Sequence, residues 1–296
     1  MVPAMTATVH TIPAGAPFVD RLADGILDEA GGDPAAPARW TVLLPSRRAC
    51  LAARDAFLRR AGGRAVLLPR LAPIGDVDEE AVALMEAALP DAGAALDLPP
   101  ALPPQRRRLL LTRLVLPFVR GEEAAAAPEH AARLADALAR LLDESAIEEV
   151  PLDNLDNLVP EAFAEHWQVT LDFLSIIREQ WPNVLEAEGA LDPWDRRTRL
   201  IHALARAWAE RPPDGPVAVA GTTGSIPATA HLMRTVAGMP GGRVILPGLD
   251  THLDDAGWRA VGDDPGHPQH GLHKVLGDLG AGRAAVRPWR GGDDGR

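Results

Sequence analysis

The 296 residues include 27 Gly, 28 Pro, one Cys and no Tyr, and 30 Lys plus Arg stand against 41 Asp plus Glu, a net charge of −11. Lys274, in His-Lys-Val-Leu, is the only lysine and Cys50 the only cysteine, which excludes a Walker A phosphate loop, a thiolate-ligated zinc or iron–sulfur site in this sequence and a disulfide framework. No run of about eighteen apolar residues could span a membrane, and no charged-then-apolar leader opens the chain; with the single cysteine, this predicts a cytoplasmic protein.

Five short apolar runs predict buried strands: Thr8–Ile12, Trp40–Leu44, Arg64–Leu68, Pro216–Ala220 and Arg243–Leu246. Continuous apolar runs without polar alternation suit a parallel sheet covered on both faces. Three of them close in the same way, at Leu44-Pro45, Leu68-Pro69 and Leu246-Pro247, where proline lacks a donor and stops the ladder. Helical stretches follow the first, second and fourth runs, as β–α crossovers require.

From Val77 to Arg211 the pattern is helical only. Pro103 or Pro104 opens one helix through Leu109, Leu110, Leu114 and Phe118; Pro128 opens another with Leu134, Leu138, Leu141 and Leu142. Pro160 opens a third, where Phe163, Trp167, Leu171, Leu174 and Trp181 recur at helical steps as a core stripe, and a last helix runs near Arg196–Glu210. Proline at the first helical position costs no hydrogen bond. The expected architecture is therefore a doubly wound parallel α/β sheet over 1–76 and 212–286, with an all-helical insertion over 77–211. The tail 287–296, made mostly of Gly, Asp and Arg, is expected to be disordered.

Charge is segregated along the chain. Residues 39–70 carry eight arginines and one acid, Asp55, a local +7; residues 71–100 carry seven acids and no base. Arg106, Arg107, Arg108, Arg113 and Arg120 form a second basic block before twelve acids and two arginines over 121–165. Such blocks predict either a localised anionic partner or solvated helix faces.

Ligands of open α/β sheets bind beyond the carboxyl ends of the strands, so the loops there are the candidate sites. Pro13, Ala14, Gly15, Ala16 and Pro17 follow the first strand, where a nucleotide-binding fold places its phosphate loop, yet two prolines remove amide donors and no lysine follows. Gly221, Thr222, Thr223, Gly224 and Ser225 follow the fourth strand, where phosphoryl transfer would need a magnesium-binding carboxylate. Without one, the segment reads as an anion-accepting turn or as a tight turn capped by Ser225, and it does not supply a nucleophile elbow. Ser46, Arg47 and Arg48 put a hydroxyl and two guanidiniums at the second strand's end, with Arg54, Arg59 and Arg60 following on the helix. They suit phosphate, or pair with the acids after Arg70. His267, His270 and His273, near Asp263 and Asp264, lack the third well-placed ligand of a zinc site; His267-Pro268 reads as a helix cap, and no metal site is assigned.

Several blocks, in order, resemble the N-terminal part of the AddB family, a subunit of the bacterial AddAB helicase–nuclease that resects double-strand DNA breaks. They are Thr11–Phe18, Val42–Cys50, Leu68–Arg70 with Ile74–Asp78, Ala164–Gln168, Ala220–Thr229 and Leu246–Asp250. The resemblance implies a degenerate P-loop, superfamily 1 helicase-like domain with a helical insertion. It places Pro13–Pro17 at the phosphate-loop position, Ser46–Arg48 where such helicases hold single-stranded DNA, and Gly221–Ser225 near the acidic motif. It further implies a nucleoid-associated role in double-strand break repair and recombination with an AddA-like partner. The partner supplies ATP- and magnesium-driven motion, and DNA ends are the substrate. This chain would carry no cofactor and no catalytic residue of its own, lacking the Walker A lysine, the acidic magnesium motif and the nuclease domain of an ATP-dependent helicase–nuclease. The family's nuclease, with its iron–sulfur cluster, has no counterpart here, so the chain looks like an N-terminal fragment. Two other functions fit the residues: a protein-interaction scaffold without a DNA role, and a small-molecule enzyme using Gly221–Ser225 as an anion site.

Overall fold

The computed structural model describes residues 8–75, 98–119, 127–152 and 173–289. The chain divides into two compact units, Met1–Leu96 with Leu200–Arg296, and Asp97–Arg199.

In the first unit the described strands are β1 (Val9–Ile12), β2 (Thr41–Leu44), β3 (Arg70–Pro73), β4 (Val217–Ala220), β5 (Gly242–Pro247) and β6 (Arg287–Pro288). They form one six-stranded sheet in the order β3-β2-β4-β5-β1-β6, and every pairing is parallel. The protein is thus an α/β fold on a parallel sheet. Helix α1 (Phe18–Glu29) follows β1, α2 (Arg47–Arg60) follows β2, and α7 (Pro227–Gly238) follows β4, while α8 (Asp255–Asp263) and α9 (His270–Asp278) lie between β5 and β6.

The chain leaves β1 toward the β3 edge and leaves β4 toward the β6 edge, so right-handed crossovers put the following helices on opposite faces. On one face Leu22, Ala23 and Ile26 of α1 and Cys50, Ala53, Ala56 and Phe57 of α2 pack with Ile12, Val42, Leu44, Ala218, Ala220 and Ile245. The alternate strand positions Val217, Val219, Val244 and Leu246 are equally buried and point the other way, toward the side where α7 contacts β4 and β5. Burial on both faces is why these strands read as unbroken apolar runs.

Two expectations fail here. The run Arg64–Leu68 is not a strand. It is an extended connection whose Leu67 N–H donates to the Pro34 carbonyl at 2.8 Å, and the ladder begins only after Pro69, with Arg70 N–H donating to the Trp40 carbonyl at 2.9 Å. Pro69 has no amide to offer, so the pairing starts one residue later on a less apolar stretch. The tail expected to be disordered from residue 287 instead supplies an edge strand: Arg287 pairs with His10 and Pro288 with Thr11. Trp289, 7% exposed, stacks edge-on against His10 at 5.1 Å and Trp40 at 6.4 Å between ring centroids. Its indole is the apolar content that the Gly/Asp/Arg composition concealed. Residues 290–296 lie outside the described residues.

The described part of the second unit is helical. It comprises α3 (Pro104–Val115), a 3-10 turn over Leu116–Val119, α4 (Ala127–Glu148), a π turn over Ile176–Gln180, α5 (Trp181–Glu188) and the first residues of α6 (Pro193–Glu210), with one isolated bridge between Ala101 and Leu191. Pro104 stands at the start of α3, as its missing amide allows. Leu111, Val115, Ala131, Ala135, Leu138, Ile176, Ile177 and Trp181 form the core, so Trp181 is a packing residue. The expected helix from Pro160, with Phe163, Trp167 and Leu171, lies outside the described residues. Leu174 and Trp181, from the same stripe, fall on either side of the π turn.

Arg107 is buried at the centre of this unit. Its Nε donates to Asp192 Oδ2 at 3.0 Å and its Nη2 lies 2.8 Å from Asp143 Oδ1. Trp181 Nε1 donates to the same Asp192 oxygen at 3.1 Å, while Asp192 Oδ1 is buried without a hydrogen-bond partner among the described residues. Burial therefore outweighs the attraction of Arg107 and the Trp181 hydrogen bond, and raises the Asp192 carboxyl above its ordinary value. Arg106 binds Glu188 and Arg108 binds Asp136, each through paired contacts. Three arginines of the second basic block are thereby paired with acids of their own unit, two of them on exposed helix faces. Arg120 lies outside the described residues.

Candidate nucleic-acid interface

Two crevices arise where neighbouring strands send their chains in opposite directions, between β1 and β5 and between β2 and β4. The three candidate loops sit at the carboxyl ends of those strands.

The loop Pro13–Pro17 folds on itself. Ala16 N–H donates to the Pro13 carbonyl at 3.2 Å, Gly15 adopts φ +86°, and Pro17 precedes α1 without a side-chain cap. Two prolines and one internally used amide leave few donors for phosphate. The loop after β5 also lies against it. Gly248 has φ +67°, a position that favours glycine, and a β-carbon there would come within 3.3 Å of Ala14 Cβ. Gly248 N–H donates to the Ile12 carbonyl at 2.8 Å, and Leu249 N–H donates to Thr11 Oγ1 at 3.1 Å. Gln269 holds this loop from the start of α9, its Oε1 accepting from Asp250 N–H at 3.0 Å and its Nε2 donating to the Gly248 carbonyl at 2.9 Å. Sequence pattern carried no signal for Gln269, which lies 21 residues from Gly248.

The turn after β4 is a structural turn in its hydrogen bonding. Gly221 N–H donates to the Ile245 carbonyl at 3.0 Å, Gly221 and Gly224 adopt φ +75° and +62°, and Gly224 N–H donates to Thr222 Oγ1 at 3.3 Å. Ser225 does not cap the helix: the N-cap of α7 is Ile226, without a side-chain bond, and Pro227 opens the first turn. A β-carbon on Gly221 would sit 3.1 Å from the Phe18 ring and 3.7 Å from Pro45 Cδ, which brings this turn beside the loop after β2. Thr223 and Ser225 are exposed at its surface.

Ser46 is the N-cap of α2, its Oγ accepting from Ala49 N–H at 3.2 Å, which satisfies one of the orphan amides of the first turn. Arg47 and Arg48 are the next two residues; Arg47 is half-buried and makes other contacts, while Arg48 is exposed and no ion pair joins it to another described residue. No acid stands in that first turn. The later arginines of α2 are spoken for. Arg59 Nη2 donates to Asp20 Oδ1 at 2.6 Å, Arg60 pairs with Asp24, and Arg54 contacts its neighbour Asp55. The bond to Asp24 raises the Arg60 pKa further. The +7 segment is thus partly neutralised by α1, a pairing at a separation of 36 to 39 residues that charge counting along the chain cannot see. The acids 76–97, the other expected partners, lie outside the described residues.

The three histidines near the C-terminus are separate. His267 Nδ1 accepts from Gln269 N–H at 3.1 Å, His270 Nδ1 lies 3.0 Å from the Val261 carbonyl, and the His273 ring rests on Trp258 at 5.0 Å. His267 does not cap α9, whose N-cap is Gln269. Among the described residues no group of three or more His, Cys, Asp or Glu could hold a metal ion, and no helix is long and apolar enough to cross a membrane. A cleft of about 530 Å³ between the carboxyl ends of α1 and α2 and another of about 650 Å³ beside His10 and Trp289 lie apart from all three candidate loops.

Comparison with models of known protein families and with curated proteins finds no match to this chain.

Proposed function

We propose that this chain is the non-catalytic, helicase-like N-terminal portion of an AddB-like subunit of a double-strand break repair helicase–nuclease. In this reading the first unit is a degenerate P-loop domain, the helical unit is its insertion, and the chain contributes DNA contact and docking to an AddA-like partner. Ser46, Arg47 and Arg48 hold the DNA backbone. ATP, magnesium and the iron–sulfur cluster belong to other parts of the assembly.

The observation that carries the proposal is the placement of two guanidiniums at the positive end of α2, at the carboxyl edge of the sheet, with no acid in the first turn. Cations there oppose the helix macrodipole by roughly 0.3–1 kcal/mol each; a phosphate at the same spot reverses the sign, since it meets amides, dipole and guanidiniums together. The fold supports the family reading by putting Pro13–Pro17, Ser46–Arg48 and Gly221–Ser225 all at strand carboxyl ends. The inward hydrogen bonding of Pro13–Pro17 supports a domain that does not hydrolyse nucleotide.

The test is binding of a single-stranded oligonucleotide to the full chain across a salt series. Phosphate contacts release counterions, so affinity falls as salt rises, and Arg47→Ala with Arg48→Ala weakens binding further. Absence of salt-sensitive binding, or a double variant that binds like the parent, removes the DNA role. The arginines tied to Asp20 and Asp24 favour a second reading, a protein-interaction scaffold. Co-purification with an AddA-like subunit in the absence of any DNA crosslink to α2 would select it.

A further inference from the structure

The cleft of about 650 Å³ beside His10 and Trp289 lies on the α1 side of the sheet. His10 alternates with Ile12 along β1, and Arg243 with Ile245 along β5; Ile12 and Ile245 both belong to the core under α1, so all four point to that face. Arg287 and Trp289 are spaced in the same way at the edge next to β1, and Trp289 is part of that core. Glu29, at the end of α1, and Pro288 complete the wall.

Three donor groups on this wall have bonding capacity left among the described residues. Trp289 Nε1 is buried without a hydrogen-bond partner, and native folds seldom leave a buried donor unpaired. The Arg243 side chain is only 24% exposed; its Nη1 donates to the Gly242 carbonyl at 3.1 Å, but its Nη2 stops 3.8 Å from Glu29 Oε2, too far for a hydrogen bond. Arg287 is exposed and forms no ion pair with another described residue.

Two guanidiniums thus stand against one carboxylate, an excess of one positive charge beside an apolar indole. An inorganic dianion would exceed that charge and leave the indole unused. A monocarboxylate with an apolar body matches both features. Guanidinium takes a carboxylate through paired N–H bonds, and an aromatic body packs against an indole. Small-molecule pockets share this make-up, apolar walls with a few placed polar groups.

We propose that this cleft binds a small aromatic monocarboxylate, its carboxylate held by Arg243 and Arg287 and its body lodged against Trp289 and Pro288. The inference goes beyond the DNA reading and is independent of it, since none of these residues belongs to the candidate interface.

Benzoate titrated into the full chain tests it, with benzamide as the neutral isostere, acetate as the carboxylate without a body and inorganic phosphate as the dianion. Calorimetry should show saturable benzoate binding, tighter than that of the other three. Proton–nitrogen NMR should show a shift of the Trp289 indole N–H signal, identified by its loss in Trp289→Phe. Arg287→Gln, at an exposed strand-edge position, should weaken benzoate binding about tenfold, the worth of one charge-assisted hydrogen bond, and leave the melting temperature near that of the parent. Arg243→Gln should weaken binding at least as much. Benzamide binding as tightly as benzoate overturns the proposal, as do tighter binding of acetate or phosphate and variants that bind like the parent. A benzoate response that leaves the Trp289 signal in place means an adventitious site elsewhere and overturns it equally. Should a variant fold poorly, the Trp289 signal of the parent protein decides alone.

Discussion

Gly75 lies directly on the carbonyl of Pro45: a β-carbon at position 75 would stand 1.9 Å from the Pro45 oxygen. Ile74 N–H donates to the Leu44 carbonyl at 2.8 Å, so β3 ends by pressing its backbone onto the loop that carries Ser46, Arg47 and Arg48. Gly75→Ala must therefore displace backbone, which cannot yield as a flexible side chain would. The expected cost is about 1–3 kcal/mol, the range of overpacking in a tight site, measured as a lower urea midpoint. In the fraction that folds, oligonucleotide affinity should fall too, because the displaced loop is the one that aims the arginines.

Ser46 separates capping from DNA binding. Asp caps helices as well as Ser and suits the positive end of the helix, so Ser46→Asp should leave the melting temperature unchanged or raised. The same carboxylate repels a phosphate backbone, and oligonucleotide binding should be lost. Ser46→Ala should do the reverse: stability falls by about 1 kcal/mol while salt-sensitive binding persists. If Ser46→Asp binds as the parent does, the α2 N-terminus is a cap and nothing more.

Asp192 predicts a pH dependence of unusual sign for a carboxylate. Its pKa is raised in the folded protein, chiefly by burial, so between the unfolded and the folded value the folded state holds a proton that the unfolded chain has released. Its contribution is then fully present below the unfolded value and is lost as pH rises through the higher folded value. Asp192→Asn keeps an oxygen for Arg107 Nε and Trp181 Nε1, which both donate to Asp192 Oδ2, and removes the charge. The variant should melt above the parent at pH 7, and the gap should narrow as pH falls toward 4. A gap that widens on acidification would contradict the assignment.

Trp289 ties the end of the described chain to the core. Its indole packs on His10 and Trp40, and Trp289→Ala should cost about 3–5 kcal/mol, as for a buried aromatic. Thermal melting of this variant and of the chain ended after Val286 should give comparable losses. Melting curves that match the parent would mean that β6 is dispensable.

Much of the sheet was legible because its strands are buried on both faces and carry the signal in their own apolar runs. Val9–Ile12, Thr41–Leu44, Val217–Ala220 and Gly242–Pro247 all lie where such runs predicted strands. The Val-Leu-Leu-Pro likeness that singled out Arg64–Leu68 failed because the run is not covered, Leu67 being 59% exposed, and because pairing needs an amide donor, which Pro69 lacks. Arg287–Pro288 was illegible because only Trp289, one residue beyond it, is buried. At the candidate site, local chemistry was readable: Ser46 and its two arginines begin a helix at a strand end. What sequence could not supply were the partners from distant segments. Asp20 and Asp24 neutralise Arg59 and Arg60, Gln269 clasps the loop at Gly248, and His231 meets His202, each across 21 to 39 residues.

Whether α2 holds DNA is decided by the salt dependence of single-stranded DNA binding, compared between the parent chain and the Arg47→Ala, Arg48→Ala double variant. Measurable binding that weakens steeply with salt is expected, and the log–log slope should shrink by about one for each arginine–phosphate interaction that the substitutions remove. Binding that is absent, insensitive to salt, or unchanged in slope and affinity by the double substitution would contradict the DNA role.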